Sequence, residues 1–145
     1  MQIIFLGLLF SEEEESRLLN ISKIGLQGAA NSYQWALIKG IEAVQEKKIN
    51  IVSSLPTGIY PLYCKKFTVN TTFKLRDKAK YVQLGYINLP GIKQYMRFRA
   101  VYNKLSYMIR LIDKEPIYII VYSLYTPYLL AIQKLKKIFS NQIKF

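Results

Sequence analysis

The sequence has 145 residues, 51% of them hydrophobic, and its 21 lysines and arginines outnumber 9 acidic residues, giving a formal net charge of +12. One packed core is expected at this length, and the charge indicates an anionic partner or surface. The chain has one cysteine and no histidine. This excludes an internal disulfide, a Cys/His zinc site and hydrolases that use an imidazole base, and we expect a reducing, cytoplasmic setting.

Short, continuous apolar runs are typical of strands that are covered on both faces, as in a parallel sheet. Four such runs occur, at Ile3 to Leu9, Ile49 to Leu55, Tyr81 to Ile87 and Ile117 to Leu124. Helical spacing between the runs predicts crossover connections. The sequence therefore predicts an α/β fold in one domain, a Rossmann-like, mostly parallel sheet with flanking helices.

Neither of the longer apolar stretches predicts a targeting or membrane-spanning segment. No basic residue precedes the run Ile3 to Phe10, and four glutamates, Glu12 to Glu15, follow it, which is a poor match to a signal peptide. Ser123, Thr126 and Pro127 interrupt the stretch Ile117 to Ile132. The four glutamates predict a solvated, mutually repelling loop, and contact with a polyol is the alternative interpretation.

A loop rich in small residues precedes the first predicted helix. Gly25, Gly28, Ala29 and Ala30 leave little side-chain bulk where a ligand would meet the N-H groups of a helix start. A flexible surface loop is the alternative interpretation. The spacing of the two glycines does not fit the dinucleotide-binding fingerprint, and no Gly-Lys-Ser or Gly-Lys-Thr phosphate loop occurs.

The first helix is predicted to begin at Asn31 or Ser32, both good N-caps, and to end near Lys47. Two stripes are predicted to face the core. The apolar one contains Tyr33, Leu37, Ile41 and Val44, and the small one contains Ala36, Gly40 and Ala43.

The second predicted helix is amphipathic and basic. After a turn-rich segment with a short strand at Phe67 to Phe73, it starts at Pro90 and continues to about Ile112. Its apolar positions are Ile92, Tyr95, Met96, Tyr102, Leu105, Ile109 and Ile112. At about 100° per residue, Lys93, Arg97 and Lys104 fall within about 40° of one another. They predict a surface for an anion or an anionic membrane, and a solvated outer face is the alternative.

The third helix is predicted to begin at Thr126 and Pro127, with Leu130, Leu135 and Ile138 facing inward and lysines in its last turns. Hydroxyl groups of Ser123, Tyr125 and Thr126 follow the fourth strand and are suited to a sugar site, although Thr126 also suits helix capping. Ile143, Lys144 and Phe145 look like the start of a fifth strand. We therefore expect that the sequence stops inside a longer protein.

Four segments together resemble the N-terminal half of family 4 (group 1) glycosyltransferases, which have the two-domain GT-B architecture. They are MQIIFLGLLFSEEEE, SKIGLQGAANSYQWALIKGIE, INIVSSLP and VYSLYTPYLLA. The resemblance implies that residues 1–145 form the acceptor-side domain and that the C-terminal donor-binding half is absent. It implies no cofactor or metal in this domain, because the nucleotide-sugar donor binds mainly to the missing half.

The resemblance also implies the residues that border the cleft between the two halves. They are Gly25, Gly28, Ala29, Asn31, Ser123, Tyr125 and Thr126. Many family members have a histidine near the second loop, where this sequence has Tyr125, and the catalytic residues stay unassigned. The implied activity is retaining transfer of a sugar to a carbohydrate or lipid-linked acceptor in surface polysaccharide synthesis, at the inner face of the plasma membrane. The fragment alone is expected to be inactive.

A second hypothesis is a non-enzymatic basic module. It would bind an anionic membrane or nucleic acid through Lys93, Arg97, Lys104 and the lysines of the last helix. Nucleic acid is the less favoured partner of the two.

Overall fold

The computed structural model describes residues 1–112 and 115–144. Its strands are β1 (Gln2–Gly7), β2 (Asn50–Ser54), β3 (Thr68–Val69), β4 (Thr72–Arg76), β5 (Ala79–Leu84), β6 (Tyr86–Ile87), β7 (Ile117–Val121) and β8 (Ile143–Lys144). Six of them form one sheet in the order β4-β5-β2-β1-β7-β8, and β3 pairs with β6 apart from it. All neighbours in the large sheet are parallel except β4, which runs antiparallel to β5 at one edge.

The parallel strands confirm the predicted Rossmann-like fold. Among the five parallel strands, β1 lies in the middle. The chain first adds β2 and β5 on one side of β1 and then β7 and β8 on the other, so the direction of winding reverses between β1 and β7. Each of the four predicted apolar runs contains a parallel strand. The two-residue strand β8 confirms the predicted start of a fifth strand, and Phe145 lies outside the described residues.

The helices are α1 (Glu12–Ile21), α2 (Gly28–Gln45), α3 (Lys93–Leu111) and α4 (Thr126–Ile138). Apolar side chains of α3 and α4 pack on one face of the sheet, and those of α2 pack on the other. A third cluster, at the carboxyl ends of the strands, joins α1 to β3 and β6. None of the helices in the described part of the chain is long and apolar enough to cross a membrane.

The four glutamates form the first turn of α1, so the predicted solvated loop is wrong. Ser11 caps the helix and Glu14 completes a capping box with it. Acidic side chains stabilise the first turn because they face the positive end of the helix dipole. Glu14 is also buried, where it accepts hydrogen bonds from the Tyr81 hydroxyl at 2.5 Å and from Thr72 at 3.1 Å. Burial, together with this carboxylate, raises the pKa of Tyr81.

The face of α2 that packs on the sheet is not the one predicted. Tyr33 and Val44 are exposed by 62% and 82%, and the three small residues of the second stripe, Ala36, Gly40 and Ala43, also face solvent. The buried positions are instead Gln34, Ile38 and Glu42. Two of these are polar, so an apolar pattern could not identify the face.

The positions of α3 and α4 along the chain confirm the prediction, but some of the residues they bury differ from those predicted. In α3 the buried apolar side chains are Val101, Leu105, Met108 and Ile109, whereas Tyr95 and Ile92 are exposed. In α4 Leu135 is buried as predicted, but Leu130 and Ile138 are exposed. Tyr128, Ala131 and Ile132 take the inward positions. The predicted strand at Phe67 to Phe73 divides into β3 and the start of β4.

Glu42 is an acidic anchor between α2 and the sheet edge. Its carboxylate accepts two hydrogen bonds from Arg76, at 2.9 and 3.1 Å, one from Lys48 at 3.1 Å and one from the Ile49 amide at 3.2 Å. Burial raises the pKa of Glu42, but the hydrogen bonds from Ile49, Lys48 and Arg76 outweigh that effect and hold the pKa below its usual value.

Replacing Glu42 with glutamine is expected to lower the free energy of unfolding by about 2–3 kcal/mol near pH 7, because charge-assisted hydrogen bonds are lost. Because the pKa of Glu42 is lower in the folded state, the ionised side chain stabilises the fold at pH values above its unfolded pKa of 4.5. That stabilisation disappears as the pH falls through the folded pKa. Urea unfolding followed by circular dichroism should therefore show the difference between wild type and Glu42→Gln shrinking in acid. Glu46→Gln, an exposed change at the end of the same helix, is the control; an equal loss there would contradict the prediction.

Candidate functional site

The two loops that the sequence placed at a common rim do lie at the same edge of the sheet. β1 and β7 are adjacent and parallel, so the residues that follow them leave the sheet side by side. The rings of Tyr33 on α2 and Tyr122 after β7 lie 6.0 Å apart, and the Tyr128 hydroxyl donates to the Gly7 carbonyl at 2.7 Å. In α/β sheets this carboxyl edge, next to the reversal of winding, is where ligands bind.

At the centre of this edge is the β1 exit segment, residues 7–10, which starts at the last residue of β1 and continues beyond it without regular strand pairing. Side chains from the surrounding elements bind its backbone. Gln34 accepts from the Leu8 amide at 2.9 Å and donates to the Leu8 carbonyl at 3.2 Å. Asn31 accepts from the Phe10 amide at 2.8 Å, and the Trp35 indole donates to the Phe10 carbonyl at 2.9 Å. Irregular backbone can be buried here because its polar groups are satisfied.

The strands contribute the remaining contacts to the β1 exit segment. The buried Ser53 hydroxyl accepts from the Leu9 amide at 2.9 Å, and Gln83 donates to the Leu9 carbonyl at 2.5 Å. Gly7 has no room for a side chain, since a Cβ there would lie 2.7 Å from Gln34 Oε1. The segment is therefore held in one conformation by α2, β2, β5 and α4.

One cleft, which we call the α1–α2 cleft, opens beside the β1 exit segment and has a volume of about 670 Å³. It is lined by Phe10, Ser11, Glu12, Glu13, Glu15, Asn31, Ser32, Trp35, Ala36 and Lys39. Carboxylates, an amide and hydroxyls therefore surround one indole. This set can accept and donate hydrogen bonds to a polyol while the indole provides an apolar face.

Of the four site residues predicted in the first loop, Gly25, Gly28, Ala29 and Asn31, the structure brings only Asn31 into this cleft. Asn31 lines it, but as part of the first turn of α2 and not as the predicted N-cap, because the helix begins at Gly28. Gly25, Gly28 and Ala29 are exposed and are absent from its lining. No atom lies within 4 Å of where a Cβ would stand on Gly25 or Gly28, so packing does not require glycine at either position.

The second predicted loop lines a different cavity, which we call the α3–α4 groove, of about 660 Å³. Its lining is mostly apolar and consists of Gln94, Tyr95, Phe98, Leu124, Tyr125, Thr126, Pro127, Leu130 and Lys134. Tyr125 and Thr126 thus line a cavity, but not the cleft that contains Asn31, and Ser123 is exposed outside the groove. Thr126 does not cap α4, because Tyr125 is the N-cap and its side chain makes no capping hydrogen bond.

The predicted basic stripe on α3 does not form a surface. Lys93 and Arg97 are buried, with 7% and 4% of their surface exposed, and Lys104 is half-buried. The prediction failed because the start of α3 packs against β6 and the residues that follow β2, where Lys93 donates to the Thr57 carbonyl and Arg97 to the Leu55 carbonyl and the Tyr86 hydroxyl. Burial and the neighbouring Arg97 charge lower the pKa of Lys93 to about 8. Burial, followed by the Lys80 charge, also lowers the pKa of Lys104.

Sequence reasoning missed the residues that give the α1–α2 cleft its character. Trp35 stands four residues after Asn31, so the two share one helical face, and this spacing was the available signal. Comparison with known proteins finds no matching family model and no similar curated protein or solved structure. Within residues 1–112 and 115–144, no cluster of cysteine and acidic side chains is arranged to hold a metal ion.

Replacing Gln34 with leucine is expected to lower the free energy of unfolding by about 2–3 kcal/mol, because the amide and carbonyl of Leu8 lose their partner at nearly unchanged side-chain volume. Chemical unfolding measures this directly. Gln133→Leu, an exposed change on α4, should alter stability by less than about 0.5 kcal/mol. Equal effects of the two substitutions would show that the β1 exit segment does not depend on Gln34.

The lowered pKa of Lys93 predicts a pH dependence of stability. The unfolded lysine, with a pKa of 10.5, binds its proton over a range where the folded one, at about 8, has lost it. Stability conferred by this residue therefore rises as the pH increases from about 8 towards 10. Thermal unfolding of wild type and Lys93→Met across this range isolates the effect, because other groups titrate in both proteins. A constant difference between them would contradict the assignment.

Proposed function

We propose that this chain is the acceptor-binding, N-terminal half of a glycosyltransferase and that the α1–α2 cleft binds the carbohydrate acceptor. The observation that carries the proposal is the set of carboxylates, amide, hydroxyls and indole gathered beside the β1 exit segment. Two other features support it. The sheet order is Rossmann-like, as the resemblance to family 4 glycosyltransferases implies, and the cleft lies at the edge where such sheets bind ligands.

In the proposed complex, Glu12 and Glu15 accept hydrogen bonds from sugar hydroxyls, and Asn31 and Ser32 add neutral polar contacts. Trp35 contacts the apolar side of the sugar ring. A second domain would supply the nucleotide-sugar, and the sugar would be transferred in the cleft between the two. The role of the present residues is to bind and orient the acceptor, so this chain alone is not expected to catalyse transfer.

The alternative of a basic docking module is weakened by the structure of α3. Two of its three nominated cations, Lys93 and Arg97, are buried and so are not presented to a flat anionic surface. The formal charge of +12 and the exposed lysines of α4 still suit weak association with an anionic bilayer. We therefore retain a peripheral position at the cytoplasmic face of the membrane as part of the proposal.

Trp35 is the only tryptophan of the chain and lines the α1–α2 cleft, so its fluorescence reports on that cleft alone. Titration with a panel of neutral oligosaccharides is expected to change the Trp35 emission saturably for at least one of them. Glu15→Gln should weaken that binding about tenfold, because a hydrogen bond to a charged acceptor is replaced by a neutral one.

The matched control is Glu46→Gln, which neutralises an exposed glutamate at the other end of α2, outside the cleft lining. It should bind the same oligosaccharide with wild-type affinity. If no oligosaccharide changes the emission, or if both variants bind equally well, the proposed acceptor site is wrong.

A further inference from the structure

Two positive charges are buried side by side at the start of α3 without a negative partner. Lys93 and Arg97 are four residues apart on the helix, and both face the ends of β2 and β6. Within the described residues, no ion pair shorter than 4.0 Å involves either of them. By contrast, the buried carboxylate of Glu42 on the opposite face is paired with Arg76 and Lys48.

Neutral oxygens accept hydrogen bonds from three of the four nitrogen atoms of this cation pair. Lys93 donates to the Thr57 carbonyl. Arg97 donates to the hydroxyls of Tyr86 and Tyr125, at 2.6 and 2.8 Å, and to the Leu55 carbonyl. One donor stays unmatched, since Arg97 Nε is buried and has no hydrogen-bond partner.

The location makes this arrangement electrostatically unfavourable without an added anion. Burying a charge without a counter-charge is strongly unfavourable, and here two like charges lie on successive turns. Lys93 is also the first residue of α3, at the positive end of the helix dipole. Burial lowers the pKa of Lys93, in agreement with this, whereas at Arg97 burial is outweighed by the Tyr86 and Tyr125 phenols, which raise the pKa. Unfavourable electrostatics of this kind are typical of functional sites.

The α3–α4 groove is connected to Arg97 through Tyr125. Tyr125 lines the groove, and its hydroxyl accepts from Arg97 while it donates to Gln94 at 2.6 Å. This phenol hydrogen bond joins the Nη1 atom of Arg97 to the lining of the groove. Phe98, Leu124 and Leu130 give the groove an apolar lining next to the charge.

We propose that Lys93 and Arg97 bind the phosphate group of an amphipathic phosphate ester whose apolar part lies in the α3–α4 groove. A guanidinium and an ammonium on adjacent turns suit a phosphate, because the planar guanidinium donates to two oxygens and the ammonium to a third. The phosphate replaces the Tyr125 hydroxyl at Arg97 Nη1 and supplies the missing negative charge. This inference does not depend on the carbohydrate site, which uses the other cavity.

Calorimetric titration of the whole chain with inorganic phosphate, hexyl phosphate and hexanol tests the proposal. Hexyl phosphate is expected to bind at least about tenfold more tightly than inorganic phosphate, and hexanol should show no binding. Equal affinities for the two phosphates would overturn the assignment of the groove and identify a site for small phosphates. Binding of neither phosphate would overturn the whole proposal.

Three variants locate the site. Lys93→Met should weaken hexyl phosphate binding at least about tenfold. The thermal midpoint of the free variant should equal or exceed that of wild type, because a buried charge is removed. If Lys93 only stabilised the fold, the variant would bind hexyl phosphate as tightly as wild type and would have a lower thermal midpoint.

Tyr125→Phe should bind hexyl phosphate more tightly, since the competing hydroxyl is gone; unchanged or weaker binding would overturn the placement at Arg97. Arg99→Met removes an exposed cation of the same helix and should leave the affinity unchanged.

The carbohydrate titration and the phosphate titration test separate proposals, and either proposal can be refuted without the other. Trp35 emission reports on neutral sugars in the α1–α2 cleft, and none of the three variants alters that cleft. A protein that binds oligosaccharides but no phosphate ester would refute only the present inference. The reverse result would refute only the proposed function.

Discussion

The rest of the carboxyl edge depends on the backbone hydrogen bonds of the β1 exit segment. Residues 7–10 leave the centre of the sheet as irregular chain, where unpaired amides and carbonyls would be strongly destabilising. Side chains from four different elements bind them, among them Gln34 of α2, Ser53 of β2 and Gln83 of β5. These contacts fix how closely α2 approaches the sheet, and so they determine where the α1–α2 cleft opens.

That constraint explains why the rim contains two cavities with different chemistry. The exit segment occupies the middle, so the space beside it is divided between the start of α1 and α2 on one face and the starts of α3 and α4 on the other. The first side collects the acidic turn of α1 and the only indole. The second collects aromatic and aliphatic side chains over a buried guanidinium. One rim therefore has a polar cleft suited to a polyol and an apolar groove next to positive charge.

The buried charged side chains fall into two groups, which differ in their hydrogen-bond partners. Glu14 and Glu42 are buried, and each accepts several hydrogen bonds, so both carboxylates join helices to the sheet. Lys93 and Arg97 are equally buried but bind only neutral oxygens. The first two residues explain how the fold is held together. The other two are not explained by the fold alone, and this difference distinguishes structural charge from candidate functional charge.

The sequence by itself determined the class of fold, because continuous apolar runs separated by helical spacing have few solutions other than a parallel sheet. It also determined that the loops after the first and fourth runs share one edge, since parallel strands end on the same side. It could not determine which face of each helix is buried. On α2 the inward residues Gln34 and Glu42 are polar, and they are buried because the exit segment and Arg76, distant in sequence, need hydrogen-bond partners. On α3, Lys93 and Arg97 fit a solvated stripe by periodicity, and they are buried only because the helix packs against β6 and the residues that follow β2. Periodicity records the distribution of apolar side chains along one element, whereas the pairing of buried polar groups is decided by elements that meet only in the tertiary structure.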